Sequence, residues 1–196
     1  MAGPDRRSLL RGAAAVSLGA LASGCRLGSH REPMSALRPP GAAPGKAFLE
    51  LCIRCGRCGL VCATNCIHYD DTLGAGGSAP FIVPNQRACI LCMKCGEVCP
   101  TDAIVPIPAE PSAIAAQVRM GTAEIDAERC WSASGKGICR ACWYSCPLAG
   151  AEQPAITLDD HSLTPRVVGD RCVGCGLCAQ VCPPEASAIT IRPRHA

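Results

Sequence analysis

The chain has 196 residues, of which 18 are cysteine, while tryptophan, tyrosine and phenylalanine occur only twice each. So few aromatic side chains cannot fill a large hydrophobic core, and a cysteine content this high usually indicates disulfides or bound metal. The formal net charge of +3 is too small to indicate nucleic-acid binding. The sequence has no apolar run of about 18 residues, so it predicts no ordinary membrane-spanning helix.

The first 25 residues have the features of a twin-arginine export signal. Arg6 and Arg7 precede one variable, two apolar and one basic residue, and a weakly hydrophobic segment follows. We therefore expect residues 1–25 to direct the folded, cofactor-loaded protein to the periplasm. The small residues before Cys25 resemble a lipoprotein processing site, so this cysteine is either lipidated or an incidental thiol.

A segment rich in Pro and Gly follows the leader. Residues 26–47 predict an extended linker without core-forming potential, because they contain few apolar side chains between their prolines. Ordered structure is expected to start near Phe48.

Four groups of cysteines with nearly constant spacing follow the predicted linker. Three groups have the spacing Cys-x2-Cys-x2-Cys-x3-Cys, and the third group has eight residues in its first interval. Pro follows the last cysteine of every group except the first. The groups are Cys52, Cys55, Cys58, Cys62; Cys89, Cys92, Cys95, Cys99; Cys130, Cys139, Cys142, Cys146; and Cys172, Cys175, Cys178, Cys182. The spacing indicates an internal repeat.

Short apolar stretches before and after the groups predict strands. Stretches at 81–83, 123–125 and 166–168 precede groups, and stretches at 103–105, 155–158 and 188–191 follow them. Strand, cysteine loop, short helix and strand form half of a bacterial-type ferredoxin. We therefore predict an α+β fold of two two-cluster modules, residues 48–110 and 111–196.

The cysteine spacing predicts iron–sulfur clusters. Two residues between cysteines allow three thiolates of one loop to surround one cube, and the fourth cysteine serves the other cluster of the pair. A disulfide framework would not need four copies of one tight spacing. Zinc sites usually use separated cysteine pairs or histidine. All sixteen cysteines of the groups are thus predicted to bind four [4Fe-4S] clusters.

Three points stay open at this level. Cys62 is the expected ligand in the first group, and Cys66, four residues later, is a packed or spare thiol. In the third group, residues 131–138 must fold back to bring Cys130 to its cluster, the alternative being three cysteines plus water. The groups pair either sequentially, first with second and third with fourth, or in a nested order; we favour sequential pairing.

Several features besides the cysteine motifs are specific. They are the twin-arginine leader, Leu-Arg-Pro-Pro-Gly-Ala at 37–42, Val-Arg-Met-Gly at 118–121, and the third group, whose ending at 139–147 reads Cys-Arg-Ala-Cys-Trp-Tyr-Ser-Cys-Pro. With these features the chain resembles the NapG/MauM type of periplasmic ferredoxin along nearly its whole length. The missing Pro after Cys62 departs from that pattern, so the resemblance does not predict the local path of the first group there.

The resemblance implies an electron-transfer subunit, and the sequence shows no catalytic arrangement of nucleophile, base or paired carboxylates. Such a subunit works beside a NapH/MauN-like membrane iron–sulfur protein and carries electrons from quinol towards periplasmic redox proteins. These acceptors belong to nitrate reductase or methylamine-type pathways, and membrane association runs through the partner or a lipid at Cys25. The alternatives are the iron–sulfur subunit of a molybdopterin oxidoreductase and a structural or assembly factor.

Overall fold

Short helices and short antiparallel strand pairs make up the described part of the protein, which in this computed structural model is residues 36–69 and 79–194. The helices are α1 (Gly45–Leu51), α2 (Arg57–Leu60), α3 (Lys94–Glu97), α4 (Pro111–Gln117), α5 (Ala141–Ser145) and α6 (Leu177–Gln180). The strands are β1 (Ile67–His68), β2 (Phe81–Ile82), β3 (Gly121–Ile125), β4 (Ile156–Leu158), β5 (Pro165–Val167) and β6 (Ile189–Pro193). The predicted export signal, Cys25 and the first part of the predicted linker lie outside the described residues.

The strands form three antiparallel pairs, β1 with β2, β4 with β5, and β3 with β6. Strand β1 follows the first cysteine group and β2 precedes the second, and β4 and β5 have the same relation to the third and fourth groups. In the longest pair, Ile125 of β3 lies opposite Ile189 of β6, so the strand before the third group pairs with the strand after the fourth. The last two groups are therefore enclosed by an inner and an outer strand pair.

The strand predictions are confirmed except after the second group. There, Ile104 forms only an isolated bridge to Ala42. A regular ladder needs a backbone N–H at alternate positions, and Pro106 on one side and Pro39 and Pro40 on the other cannot donate. Strand β1 after the first group was not predicted.

The prediction that order starts near Phe48 is wrong for residues 37–47. Leu37 is buried, and its carbonyl accepts a hydrogen bond of 2.8 Å from the N–H of Ile82. Arg38 is also buried, where its guanidinium donates to the carbonyl oxygens of Ala79 and Pro80. Because each of these contacts is long-range, this stretch packs as part of the fold although its composition is that of a linker.

In the described part of the chain the core consists of three clusters of buried side chains, and the largest extends across the predicted boundary between residues 110 and 111. It joins Leu37, Ile82 and Cys89 to Val118 and Cys175. The backbone N–H of Cys89 donates to the carbonyl of Cys175 at 3.0 Å, so the second and fourth cysteine groups are in direct contact. Among the described residues, no helix has the length and apolar character needed to cross a membrane.

Candidate metal centres

Left-handed backbone turns shape the cysteine loops of the first, second and fourth groups. In each loop, the residues immediately before and after the second cysteine have positive φ. These residues are Arg54 and Gly56, Leu91 and Met93, and Gly174 and Gly176. Left-handed conformation costs a non-glycine residue about 1 kcal/mol. Leu91 and Met93 are buried, so core packing offsets that cost in the second group.

A helix of four or five residues carries the third cysteine of each group. Cys58, Cys95, Cys142 and Cys178 lie in α2, α3, α5 and α6, and the fourth cysteine of each group follows the end of its helix. The turn predicted between the third and fourth cysteines is therefore present. It separates the fourth cysteine from the loop that holds the first three.

Three cavities of nearly equal size are each lined by four thiols. They enclose about 340, 340 and 330 Å³ of space between atoms, part of it open to solvent. In each cavity three cysteines belong to one group and the fourth belongs to another. The sets are Cys52, Cys55, Cys58 with Cys99; Cys130, Cys139, Cys142 with Cys182; and Cys172, Cys175, Cys178 with Cys146.

The thiols of the second group are placed by contacts with the first. Cys89 packs in the same cluster as Cys62 and Cys66, and the sulfurs of Cys62 and Cys66 are 3.5 Å apart. Hydrogen bonding to Cys89 lowers the pKa of the Cys66 thiol below its usual value. Cys99, Cys182 and Cys146 therefore each line the cavity of the group that sequential pairing assigns to them, whereas nested pairing requires other neighbours. Cys62 is linked to the second group through Cys66, which is hydrogen-bonded to Cys89.

The stretched first interval of the third group closes through one serine. The hydroxyl of Ser132 donates to the carbonyl of Cys139 at 2.7 Å and accepts the N–H of Cys139 at 2.8 Å. The insertion therefore folds back on itself, as expected, and Cys130 lines the same cavity as Cys139. Sequence reasoning did not identify Ser132, because nothing in the insertion distinguishes it from Ser134.

Backbone N–H groups point at several of the sulfurs. The N–H of Ile104 donates to Cys99 at 3.4 Å, that of Ala188 to Cys182 at 3.3 Å, and that of Cys66 to Cys62 at 3.4 Å. In each case the donor lies at the start of the segment that follows the group. Such bonds stabilise negative charge on sulfur and raise the reduction potential of a bound cluster.

Tyr69 contacts the first site from the end of β1. Its hydroxyl lies 3.3 Å from the sulfur of Cys58, accepts the N–H of Gly59 and donates to the carbonyl of Gly56. Burial raises the pKa of the Tyr69 hydroxyl, so it stays protonated and able to donate. The sequence signal for this contact was weak, since a tyrosine after a group is also an ordinary strand residue.

Burial makes most of the third cysteines poor acids on their own. It raises the pKa of Cys95 to about 12 and that of Cys142 to about 11, and Cys175 in the fourth loop is shifted likewise to about 11. A buried thiol of this kind becomes a thiolate when a metal supplies the compensating positive charge. The sites are therefore suited to bind cations rather than to present free nucleophiles.

The donor set fits a cluster of iron and sulfide. The residues around the three cavities include four thiols each and no Asp, Glu or His. Every cysteine of the described residues is a free thiol. Within residues 36–69 and 79–194, no three Cys, His, Asp or Glu side chains converge closely enough for a single ion. The thiols instead surround a volume, which is the arrangement that a four-iron cube with four cysteine ligands requires.

Comparison with known proteins identifies the same cofactor. A model of the 4Fe-4S dicluster domain matches residues 51–103 and 88–151, and a 4Fe-4S binding domain matches residues 165–186. These matches cover all four cysteine groups.

Full-length relatives are also similar. The ferredoxin-type protein NapG of Escherichia coli K12 is 34% identical over 206 residues, which cover 96% of this chain and 85% of that protein. NapG of Haemophilus influenzae is 32% identical over 97% of this chain and 72% of its own. The methylamine utilization ferredoxin-type protein MauM of Methylorubrum extorquens is 35% identical over 98% of this chain and 90% of its own. With the 4Fe-4S domains, these relatives identify an iron–sulfur electron-transfer protein.

Proposed function

The chain belongs to the family of NapG and MauM ferredoxin-type proteins, and we propose that it is a periplasmic carrier with four [4Fe-4S] clusters. The observation that carries this proposal is the repeated cavity lined by three thiols of one group and one thiol of its partner group. It supports two ferredoxin modules, one formed by the first two groups and one by the last two. The proposed ligands are the sixteen cysteines of the four groups.

The order of the sites along the molecule supports a single path for electrons. A bound [4Fe-4S] cluster takes up and releases one electron. Helix α2 packs on α3 and helix α5 on α6, which places the first site beside the second and the third beside the fourth. The hydrogen bond from Cys89 to Cys175 joins the second site to the fourth. The path therefore runs first, second, fourth, third, and not in chain order.

The two ends of this path carry exposed apolar side chains. Leu60, in the helix of the first site, is 86% exposed, and Ile53 lies in the loop of the same site. At the third site Ile138, which precedes Cys139, is 70% exposed, and Tyr144 is exposed on α5. Single exposed apolar residues are common, and Ile90 and Val181 are partly exposed at the second and fourth groups, but the four most exposed of these side chains lie at the two ends of the path. One end accepts electrons and the other delivers them.

The partners we propose are a NapH/MauN-like membrane iron–sulfur protein, which oxidises quinol, and a periplasmic redox protein as acceptor. The names of the relatives support a redox role, and one of them specifies methylamine utilization. Export by the twin-arginine route accounts for the paired arginines of the leader. Membrane association then follows from the partner or from a lipid at Cys25.

Cofactor content tests the proposal first. Protein purified under anaerobic conditions should contain about 16 iron atoms and about 16 acid-labile sulfides per chain, because four sites each hold a cube. Zinc without sulfide would overturn the assignment.

Partners and location are tested on the full chain in cells. Affinity purification should recover a membrane iron–sulfur protein, whereas recovery of a molybdenum catalytic subunit would favour the alternative assignment. Replacing Arg6 and Arg7 by Lys should leave cluster-loaded protein in the cytoplasm. Leu60→Glu and Ile138→Glu should slow electron transfer without loss of iron, because both residues lie outside the cysteine sets.

A further inference from the structure

Cys66 occupies a position that alanine occupies in the other three groups. A buried small residue followed by Ile begins the segment after every group, and the residue is Cys66, Ala103, Ala155 or Ala188. All four side chains are buried, with 1–4% of their surface exposed. Packing at this position therefore requires only a methyl group, and the thiol of the first group is additional to what the fold needs.

The thiol of Cys66 lies within the second site. Its sulfur is 3.5 Å from that of Cys62, and the N–H of Cys66 donates to the same sulfur at 3.4 Å. On its other side Cys66 is hydrogen-bonded to Cys89. Cys62, Cys66 and Cys89 thus lie together at the second site, and the first two belong to one short segment.

The path of the chain after Cys62 brings the two sulfurs together. In this group Ala63 stands where the other groups have Pro, whereas the left-handed backbone of Asn65, with φ of 50°, is shared by the matched Asp102 of the second group, with φ of 57°. The second group has the same number of residues between Cys99 and Ala103, but its hydrogen bond to the ligand sulfur comes from Ile104. Ala103 of the second group therefore corresponds to Cys66 of the first group and carries no thiol.

We propose that Cys66 is a reserve iron ligand of the second site and takes the place of Cys62 when that thiolate is lost. The proposal rests on the ligand sets assigned above. In the exchange, the iron–sulfur bond to Cys62 breaks and its thiolate takes up a proton, while the Cys66 thiol loses its proton and forms the new iron–sulfur bond. In a variant without the residue 62 thiol, the proton of Cys66 passes to solvent. The number of thiolate ligands and the oxidation state of the iron are unchanged. The 3.5 Å separation means that only a small movement of the segment is needed.

Four variants of the full chain test the proposal by iron content and by EPR of the reduced protein. Cys62→Ala should keep about 16 iron atoms, with a changed EPR signal from the second site. Cys66→Ala should keep about 16 iron atoms and the second cluster, because alanine stands at this position in the other groups. The double variant Cys62→Ala, Cys66→Ala should lose the second cluster. Cys99→Ala should likewise lose the first cluster, because Ala103 stands there at the position of Cys66.

The results distinguish an error in the reserve role of Cys66 from an error in the ligand sets assigned to the four clusters. Loss of the second cluster, or failure to fold, in Cys62→Ala would overturn the reserve role. The control is Cys99→Ala, which should remain soluble and lose only the first cluster. Loss in Cys66→Ala alone would make Cys66 the ordinary ligand and would also overturn it. If Cys99→Ala retains all four clusters, the assigned ligand sets themselves are wrong.

Discussion

The outer strand pair distinguishes the two halves of the molecule. Around the last two groups, β3 and β6 pair over five residues, and the N–H of Asp126 then donates to the carbonyl of Ala188 at 2.8 Å. Around the first two groups, the N–H of Ala43 donates to the carbonyl of Ala103 at 2.9 Å, and one bridge joins Ala42 to Ile104. The segment after the last cysteine group of each half thus pairs with a regular strand, β3, in the second half and with a Pro-rich segment in the first half.

This difference shows that a segment can serve as an outer strand without the sequence of one. Pro39 and Pro40 cannot donate to a ladder, so the segment forms separate bridges and fills space with its proline rings instead. Both prolines are buried. Gly41, with φ of 82°, lies so close to Val105 that a Cβ would come within 2.4 Å of its carbonyl oxygen. The segment therefore requires glycine at this position for close packing.

The largest effect should come from breaking the reciprocal exchange of cysteines in the second half. Cys182→Ser should alter the EPR signal of the cluster held by Cys130, Cys139 and Cys142, because Cys182 lines their cavity. Cys146→Ser should alter the cluster of the fourth group. The measurement is EPR of the reduced protein with each signal assigned beforehand. Damage by Cys182→Ser at the first group would instead indicate nested pairing.

A smaller but still large effect should follow from truncating Leu37, which anchors the Pro-rich segment in the core. Leu37→Ala should destabilise the protein by about 3 kcal/mol, because a buried leucine is replaced by a cavity. Leu60→Ala, on an exposed side chain, is the control and should change stability by less than about 0.5 kcal/mol. Guanidinium unfolding of the cluster-loaded proteins gives both values. Equal unfolding midpoints of Leu37→Ala and Leu60→Ala would mean that residues 37–43 are a linker and do not contribute to the core.

The sequence predicted those features that depend on local spacing. The four cysteine groups, the single helical turn and most flanking strands follow from intervals of a few residues, which is why they could be assigned without a structure. Which group supplies the fourth thiol of each set depends on long-range contacts, and the sequence left it open. The Pro-rich segment could not be predicted, since its role depends on partners such as Ile82 and Ala103, far along the chain. Tyr69 and Ser132 were missed for the same reason, because their contacts with the sites depend on how the loops close.

The contact between the two halves can be tested with two glycines that occupy the same position in a cysteine loop of each half. Gly56 and Gly176 each follow the second cysteine of a group and have φ of 75° and 85°. A Cβ on Gly56 would meet nothing within 4 Å, whereas one on Gly176 would lie 2.4 Å from the Cβ of Pro84. Gly56→Ala should therefore cost about 1 kcal/mol from its left-handed backbone alone. Gly176→Ala should cost about 2–3 kcal/mol, because the clash with Pro84 adds to the same backbone cost.

Guanidinium unfolding and EPR together distinguish the two glycine variants. The Gly176→Ala protein should also show weaker magnetic interaction between the second and fourth clusters, because the loop must move away from Pro84. Gly56→Ala should leave every such interaction unchanged. Identical behaviour of the two variants would contradict the contact between the second and fourth groups.

The smallest effect concerns Tyr69, which has no counterpart in the second half. When Cys58 is a ligand it carries no proton, so only the Tyr69 hydroxyl can donate in their 3.3 Å contact. Donation stabilises the more negative, reduced form, and Tyr69→Phe should therefore lower the potential of the first cluster. A hydrogen bond worth about 1 kcal/mol corresponds to at most about 40 mV for one electron, and sharing with Gly56 reduces the shift further. Redox titration followed by EPR measures it, with Tyr144→Phe as the control that leaves all four potentials in place. A shift in the third cluster, or an upward shift in the first, would contradict the assigned contact.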